Sequence, residues 1–425
     1  MMNNGLCSTA SGDYKDALSK GILFFEGQRS GKLPANQSVK WRGDSALSDG
    51  KLENVKLTGG YYDAGDNVKF GWPMAFSISL LSWAATEYQT EISSANQLRD
   101  LRGAIRWGTN FLLQAHTSST TLYTQVGDAD RDHQCWERPE DMDTPRTLYK
   151  ITSSSPGTEV AAEAAAALAA ASIVFKVADS NYSASLLRHS KSDELLWAAA
   201  WLYKASGDDS YLNYASSNEG WSQAVSEFSW DNKFIGAQTL LAKACGLLYT
   251  RDSSNLQYVS SASMILLVYS KILNTAGVRG VQCGSVNFST STIKAFAKSQ
   301  VDYILGNNTM KMSYMVGFGT KFPTQLHHRG ASIPSIQTHP DKVGCSDGLS
   351  TWYSSSKPNP NTHIGAIVGG PNSNDQFTDS RSDYSHLEPT TYMNAAFVGS
   401  LAALLGGSNE ECVHGVVDDL QTRHQ

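Results

Sequence analysis

Three short stretches of this chain gather carboxylic acids, imidazoles and glycines at spacings that suit acid–base chemistry. In GGYYDAGDNVKFGWPMAF, Asp63 and Asp66 stand three residues apart in a glycine-rich turn. Two neighbouring carboxylates can hold one water and share its proton, and Tyr61, Tyr62 and Trp72 could wall a sugar subsite. The same aspartates would also serve as ordinary turn and helix-capping residues. In FTDSRSDYSHLEPTTYMNAAFVG, Asp379, Asp383 and Glu388 precede Pro389 and an apolar helical run. Glu388 reads either as a functional acid or as a first-turn carboxylate favoured by the helix dipole. In MSYMVGFGTKFPTQLHHRGASIPS, His327, His328 and Arg329 are adjacent. Successive side chains point opposite ways in extended backbone, so the two histidines make poor joint metal ligands. A His and an Arg aimed at hydroxyl groups is the functional reading, and a salt-bridged structural Arg is the alternative.

The elements that must position these loops are helical. Residues 97–116 place Leu98, Leu101, Ile105 and Leu112 on one face. Residues 158–178 are alanine-rich and apolar nearly all round, the pattern of a buried helix, with Thr158 as its N-cap. Further helices are predicted over 14–27, 74–89, 193–206, 208–216, 221–228, 235–245, 257–274, 291–305 and 389–405. Convincing strands are few. Long loops run over 28–73, 117–157 and 306–388, and long loops in a compact domain are usually functional. The organisation expected is one all-α domain over 13–406, with tails at 1–12 and 407–425.

Composition narrows the partners. The formal net charge is -6, 17% of residues are charged, and no basic stripe appears, which argues against nucleic acid and anionic membranes. A neutral polymer fits better, and ten Trp and eighteen Tyr would suit sugar stacking as well as core packing. No stretch reaches the ~18 apolar residues of a membrane span. The six cysteines are scattered without a CxxC pair; one or two disulfides are possible, with pairing not legible from spacing. The opening MMNNGLCSTASG has neither a basic nor an apolar segment of the signal-peptide kind, although Ser8-Thr9-Ala10-Ser11-Gly12 resembles the small-residue remnant of a cleavage site.

Taken together, the three loops resemble the signatures of the family 9 glycoside hydrolases of the plant type: the paired aspartates, the run from Ser313 to Arg329, and the run from Phe377 to Asn394 with Asp379, Tyr384, Glu388, Thr390 and Asn394 in place. The likeness extends from about Asp13 to Gly406. It implies an (α/α)6 barrel with an open cleft across one end, which cuts internal β-1,4 bonds of cellulose and related β-glucans with inversion. In that frame Asp66 is the general base, Asp63 its partner in holding the water, and Glu388 the general acid. His327, Arg329, Asp379, Asp383 and Tyr62 would bind substrate, and Trp136 and Trp230 would stack on sugar. No cofactor is required; Asp193, Glu194 and Asp231 resemble carboxylates that hold a structural Ca²⁺ in some relatives. A monomer working outside the cell or in the cell wall is implied.

The chain departs from the family pattern at two joins. Leu187-Arg188-His189-Ser190-Lys191-Ser192 runs directly into Asp193, and Lys243-Ala244-Cys245-Gly246 closes a second join; at each, plant-type members carry one or two more helices. The barrel is therefore expected to lack some helices. The alternative function is an impaired splice or gene-model product that binds glucan without cutting it.

Overall fold

The computed structural model describes residues 9–190, 196–217, 229, 251–283 and 286–406. Among the described residues, ten helices have nine residues or more: α1 (Thr9–Gly27), α2 (Gly71–Glu87), α3 (Leu98–Ala115), α4 (Thr158–Phe175), α5 (Ser180–Ser190), α6 (Leu196–Ser206), α7 (Asp209–Ser217), α8 (Asn255–Thr275), α9 (Thr290–Ile304) and α10 (Thr391–Leu405). The helix expected from residue 14 begins at Thr9, inside what the sequence suggested was a tail. Helix α5 was missed because its Ser- and Asn-rich first turns carry little apolar periodicity. The predicted helices 221–228 and 235–245, and the second join at 243–246, lie outside the described residues.

The even-numbered helices form an inner layer and the odd-numbered ones pack outside it. Helix α2 packs on α4 and α10, α10 on α8, and α4 on α6. Composition explains the sorting. Helices α2, α4, α8 and α10 are apolar around most of their circumference and are buried on most sides, whereas α3 has one apolar stripe and a charged outer face. Helices α4 and α8 have the length and hydropathy of membrane spans, which the sequence reading did not register. In the fold 78% and 72% of those windows are buried within the helical layers, so their apolarity faces protein.

The connections between helices carry more strand than expected. Strands β1 (Lys69–Phe70), β2 (His116–Ser118) and β4 (Leu148–Thr152) each pair antiparallel with β3 (Thr121–Val126), and β5 (Gly280–Cys283) pairs with β6 (Val286–Ser289). Strand β1 ends where α2 begins, so the first sheet ties the paired-aspartate loop to the 117–157 loop. A Cys135–Cys345 disulfide, with Cα atoms 4.8 Å apart, joins that loop to the 306–388 loop.

Candidate active site

The three motifs meet at one end of the helical layers, and backbone hydrogen bonds hold them together. The Arg329 N–H donates to the Gly65 carbonyl (3.0 Å), the His327 N–H to Leu387 (3.1 Å), and the Thr391 N–H to Asp63 (3.0 Å). Gly65 is required by this approach: a Cβ there would stand 2.1 Å from the His327 carbonyl oxygen. Thr390 caps α10 by accepting from the Met393 N–H, so Glu388 lies just ahead of the cap in extended backbone.

The paired aspartates differ in surroundings. Asp66 is 7% exposed, and its Oδ2 lies 3.3 Å from Nε2 of His133, whose side chain is 56% exposed. The hydrogen bond to Asp66 holds the His133 pKa above its usual value. Asp63 Oδ1 is buried without a protein partner. Burial, and then the like charges of Asp66 and Glu388, push the Asp63 carboxyl well above the usual carboxylate range. Glu388 Oε1 accepts from the N–H of Gly65, the residue directly before Asp66, at 3.1 Å. Burial and the Asp66 charge raise Glu388 to about 7. The site therefore holds two carboxyls, Asp63 and Glu388, whose surroundings favour the protonated form, beside the hydrogen-bonded Asp66.

His327 forms the adjoining wall. Its Nδ1 donates to the Arg381 carbonyl (2.8 Å), which makes Nε2 the unprotonated nitrogen, and burial lowers its pKa to about 4. Its ring packs edge-on against Trp136, Tyr353 and Tyr384, with centroids 4.9, 6.1 and 5.9 Å away. Tyr384 is 61% exposed, an aromatic face turned to solvent beside the acid loop.

Several residues expected to touch sugar are turned to the protein instead. Arg329 is 3% exposed; Nε, Nη1 and Nη2 donate to the carbonyls of Cys135 (3.0 Å), Gly65 (3.1 Å) and Asp132 (2.9 Å), and the Asp132 carboxylate is 3.4 Å away. A guanidinium with all three nitrogens on backbone carbonyls positions the loop. Tyr62 is buried, with its hydroxyl donating to Ser45 Oγ (3.0 Å). Trp136 is likewise buried, donating to Ser332 Oγ (2.9 Å) and packed on Tyr353. These two are walls behind the site, because the loops cover their rings. Asp379 accepts from Thr324 N–H, Thr324 hydroxyl and Gln325 N–H at 2.8, 2.8 and 2.9 Å, bracing the histidine loop. Asp383 accepts from His386 Nδ1 at 2.9 Å. Trp230, Asp193, Glu194 and Asp231 lie outside the described residues.

Sequence reasoning missed Asp132 and His133. Their signal was the DRDH run just ahead of QCWERPEDM, which sits in a long loop without helical or strand period. Both Asp132 oxygens accept from the Asn67 N–H at 3.3 Å, and burial lifts Asp132 to about 6. Beneath the loop, Arg146 forks onto Asp49 (2.8 and 3.0 Å) and donates to the Asn67 carbonyl (2.7 Å), while buried Lys69 pairs with Asp49 at 2.7 Å.

Known proteins share both the sequence and the fold. An endoglucanase of Phaseolus vulgaris is 62% identical over 470 aligned positions, covering 95% of each chain, and Endoglucanase 18 of Arabidopsis thaliana is 60% identical over 457, covering 93% of this chain and 95% of its own. The structure of an endoglucanase from the termite Nasutitermes takasagoensis superposes with a TM-score of 0.82 at 39% identity, covering 92% of this chain and 98% of its own. The cellulase Cel9M of C. cellulolyticum, solved with cellobiose, has a TM-score of 0.79 at 29% identity, covering 93% and 99%. These neighbours bear out the all-α (α/α)6 barrel. The sequence model described as "Glycosyl hydrolase family 9" matches residues 14–192, 189–245 and 244–401, breaking at the two joins where the chain departs from the pattern. With its motifs, its fold and nearly its whole length matched, the chain belongs to glycosyl hydrolase family 9.

Proposed function

We propose that the chain cuts internal β-1,4-glucosidic linkages of cellulose and related β-glucans with inversion of configuration. The observation that carries this reading is the raised Glu388 carboxyl, hydrogen-bonded to Gly65 between the two aspartates. Inversion needs an acid on one side of the bond and a base-activated water on the other, with the carboxyl groups ~6.5–9.5 Å apart. Glu388, neutral up to about pH 7, gives its proton to the leaving glycosidic oxygen. Asp66, oriented by His133, takes a proton from the attacking water. Asp63, whose environment favours the protonated form, is its partner in holding that water. His327 offers its unprotonated Nε2 to a sugar hydroxyl. The mutual bracing of the three loops supports an active enzyme over an impaired glucan-binding isoform.

The two-carboxyl chemistry needs no cofactor, and no step passes through the Ca²⁺ expected at Asp193, Glu194 and Asp231. The Cys135–Cys345 bridge supports work outside the cell, where disulfides persist. A monomer acting on a cell-wall polymer completes the reading. Proton NMR of fresh cellooligosaccharide hydrolysate tests it: the α-anomer should appear first, and Asp66→Ala should suppress it. A β-anomer as first product would refute the assignment of Asp66 as base.

A further inference from the structure

The disulfide between the two site loops has a carboxylate beside it. Cys135 and Glu137 stand on the 117–157 loop and Cys345 on the 306–388 loop. The two sulfurs and a Glu137 carboxylate oxygen all lie within 4.8 Å of one another. Cys135 and Glu137 are buried, at 2% and 1% exposure. Cys345 is half-buried and opens the short turn Cys345–Asp347, none of whose residues is buried, so a reductant and a small ion can approach from that side.

Glu137 differs from the acids around it. Asp132, Asp141 and Glu140 each face an arginine, at 3.4 Å from Arg329, 2.6 Å from Arg138 and 2.9 Å from Arg42. Among the described residues Glu137 has no such ion pair, and Lys342, whose charge reaches it, is paired with Asp143. Glu137 Oε1 accepts from the N–H groups of Asp143 (2.9 Å) and Thr144 (3.3 Å), which fixes the carboxyl group in place. Its Oε2 is buried and meets no donor among the described residues. A buried carboxylate oxygen is costly unless a cation or a donor compensates it. Two thiolates and a carboxylate oxygen are a donor set for a thiophilic divalent cation such as Zn²⁺, bound tetrahedrally at ~2.0–2.3 Å. Donor atoms of one such ion stand roughly 3.3–3.8 Å apart, so the carboxylate is already close to where it is needed, and the sulfurs separate once their bond is cut.

We infer that, in the reduced chain, Cys135, Cys345 and Glu137 bind one thiophilic divalent cation of the Zn²⁺ class, with water as fourth ligand, and that this ion takes over the link between the two loops. A reductant of the dithiol class opens the bridge. One of its thiolates attacks the more exposed Cys345 sulfur and Cys135 leaves as thiolate; the second thiol of the reductant then displaces Cys345 and closes the reductant's own disulfide, so that two electrons pass to the cysteines. The ion displaces the two thiol protons to solvent, and Glu137 binds as the carboxylate. The wall resting on this link includes the Cys135 carbonyl that accepts from Arg329 and the Trp136 ring beside His327. The ion therefore holds the same wall under reducing conditions that the disulfide holds under oxidising ones.

The test uses the full 425-residue chain, reduced with a phosphine, which competes for metal less than a dithiol does, and freed of metal by dialysis. Titration with Zn²⁺ should show binding with Kd on the order of 1 μM or tighter, raise Tm, and shield both Cys135 and Cys345 from iodoacetamide in a peptide map. The oxidised chain should gain no Tm from Zn²⁺. Glu137→Gln keeps both thiols and an amide oxygen for Asp143 and Thr144; it should weaken binding at this pair at least ~10-fold, as even the loss of a group supporting a ligand does. Cys345→Ser should leave Cys135 unshielded. If Cys345→Ser does not fold, Glu137→Gln decides alone. No shielding of Cys135 and Cys345 at Zn²⁺ up to about 100 μM, shielding confined to Cys7, Cys245, Cys283 or Cys412, or unchanged affinity in Glu137→Gln would overturn the inference.

Discussion

Replacing Glu388 by Gln should disable the enzyme and stabilise it, and the stabilisation should depend on pH. The folded protein raises this carboxyl from 4.5 to about 7, chiefly through burial. The native state therefore binds more protons than the unfolded chain between those values, and stability falls as pH rises through the window. At ~1.4 kcal/mol per tenfold, the cost of the ionised form is about 3 kcal/mol above pH 7 and vanishes below pH 4.5. Glutamine is neutral throughout and can still accept from the Gly65 N–H. Unfolding entropy scales with length, so ~1 kcal/mol shifts Tm by about 1 °C in a chain of this size. Thermal scans should show Glu388→Gln melting about 3 °C above the wild type at pH 8, with the gap closing towards pH 4.5. Hydrolysis of unactivated glucan should fall by ~10²–10⁴-fold at every pH. A Tm difference that is the same at pH 4.5 and pH 8 would refute the argument, since it would mean that Glu388 is not held protonated by the fold.

Other outcomes follow from the same geometry. Wild-type kcat should decline as pH rises through about 7, where Glu388 loses its proton, and an unchanged kcat at pH 9 would remove it from the acid role. Arg329→Met should cost about 3–5 kcal/mol by stranding buried Asp132 and freeing three carbonyls, with lower Tm and lower kcat; a rise in KM alone, with Tm unchanged, would mean that the guanidinium binds sugar. Cys345→Ala opens a link across 210 residues and should lower Tm by several degrees, on the order of 4–5 kcal/mol of loop-closure entropy, as measured by thermal scan without reductant. Asp379→Asn loses the charge that braces Thr324 and Gln325, so kcat should fall several-fold, checked by single-turnover hydrolysis.

The chemistry of the site was legible in the sequence because it lies in contiguous runs: the two aspartates share one turn, and Glu388 directly precedes a capped helix. The inner helices were legible for a related reason. A helix buried on all sides must be apolar all round, and α4 and α10 declare that in composition alone. What the sequence could not reveal was which polar side chains face the cleft and which are consumed in holding it. Arg329, Tyr62 and Trp136 carry residue types suited to sugar, yet each is buried against groups 150 or more positions away or on a neighbouring loop. Only the meeting of three loops supplied their partners: Gly65 and Cys135 for Arg329, Ser45 for Tyr62, Ser332 for Trp136. His133 shows the converse, an unremarked histidine brought onto Asp66 by a loop with no periodicity to announce it. Local sequence determines which groups are available and which helices form. Tertiary structure decides how each carboxyl is solvated and which donor reaches it, and the burial that raises Glu388 while Asp66 keeps its hydrogen bonds exists only once the loops have met.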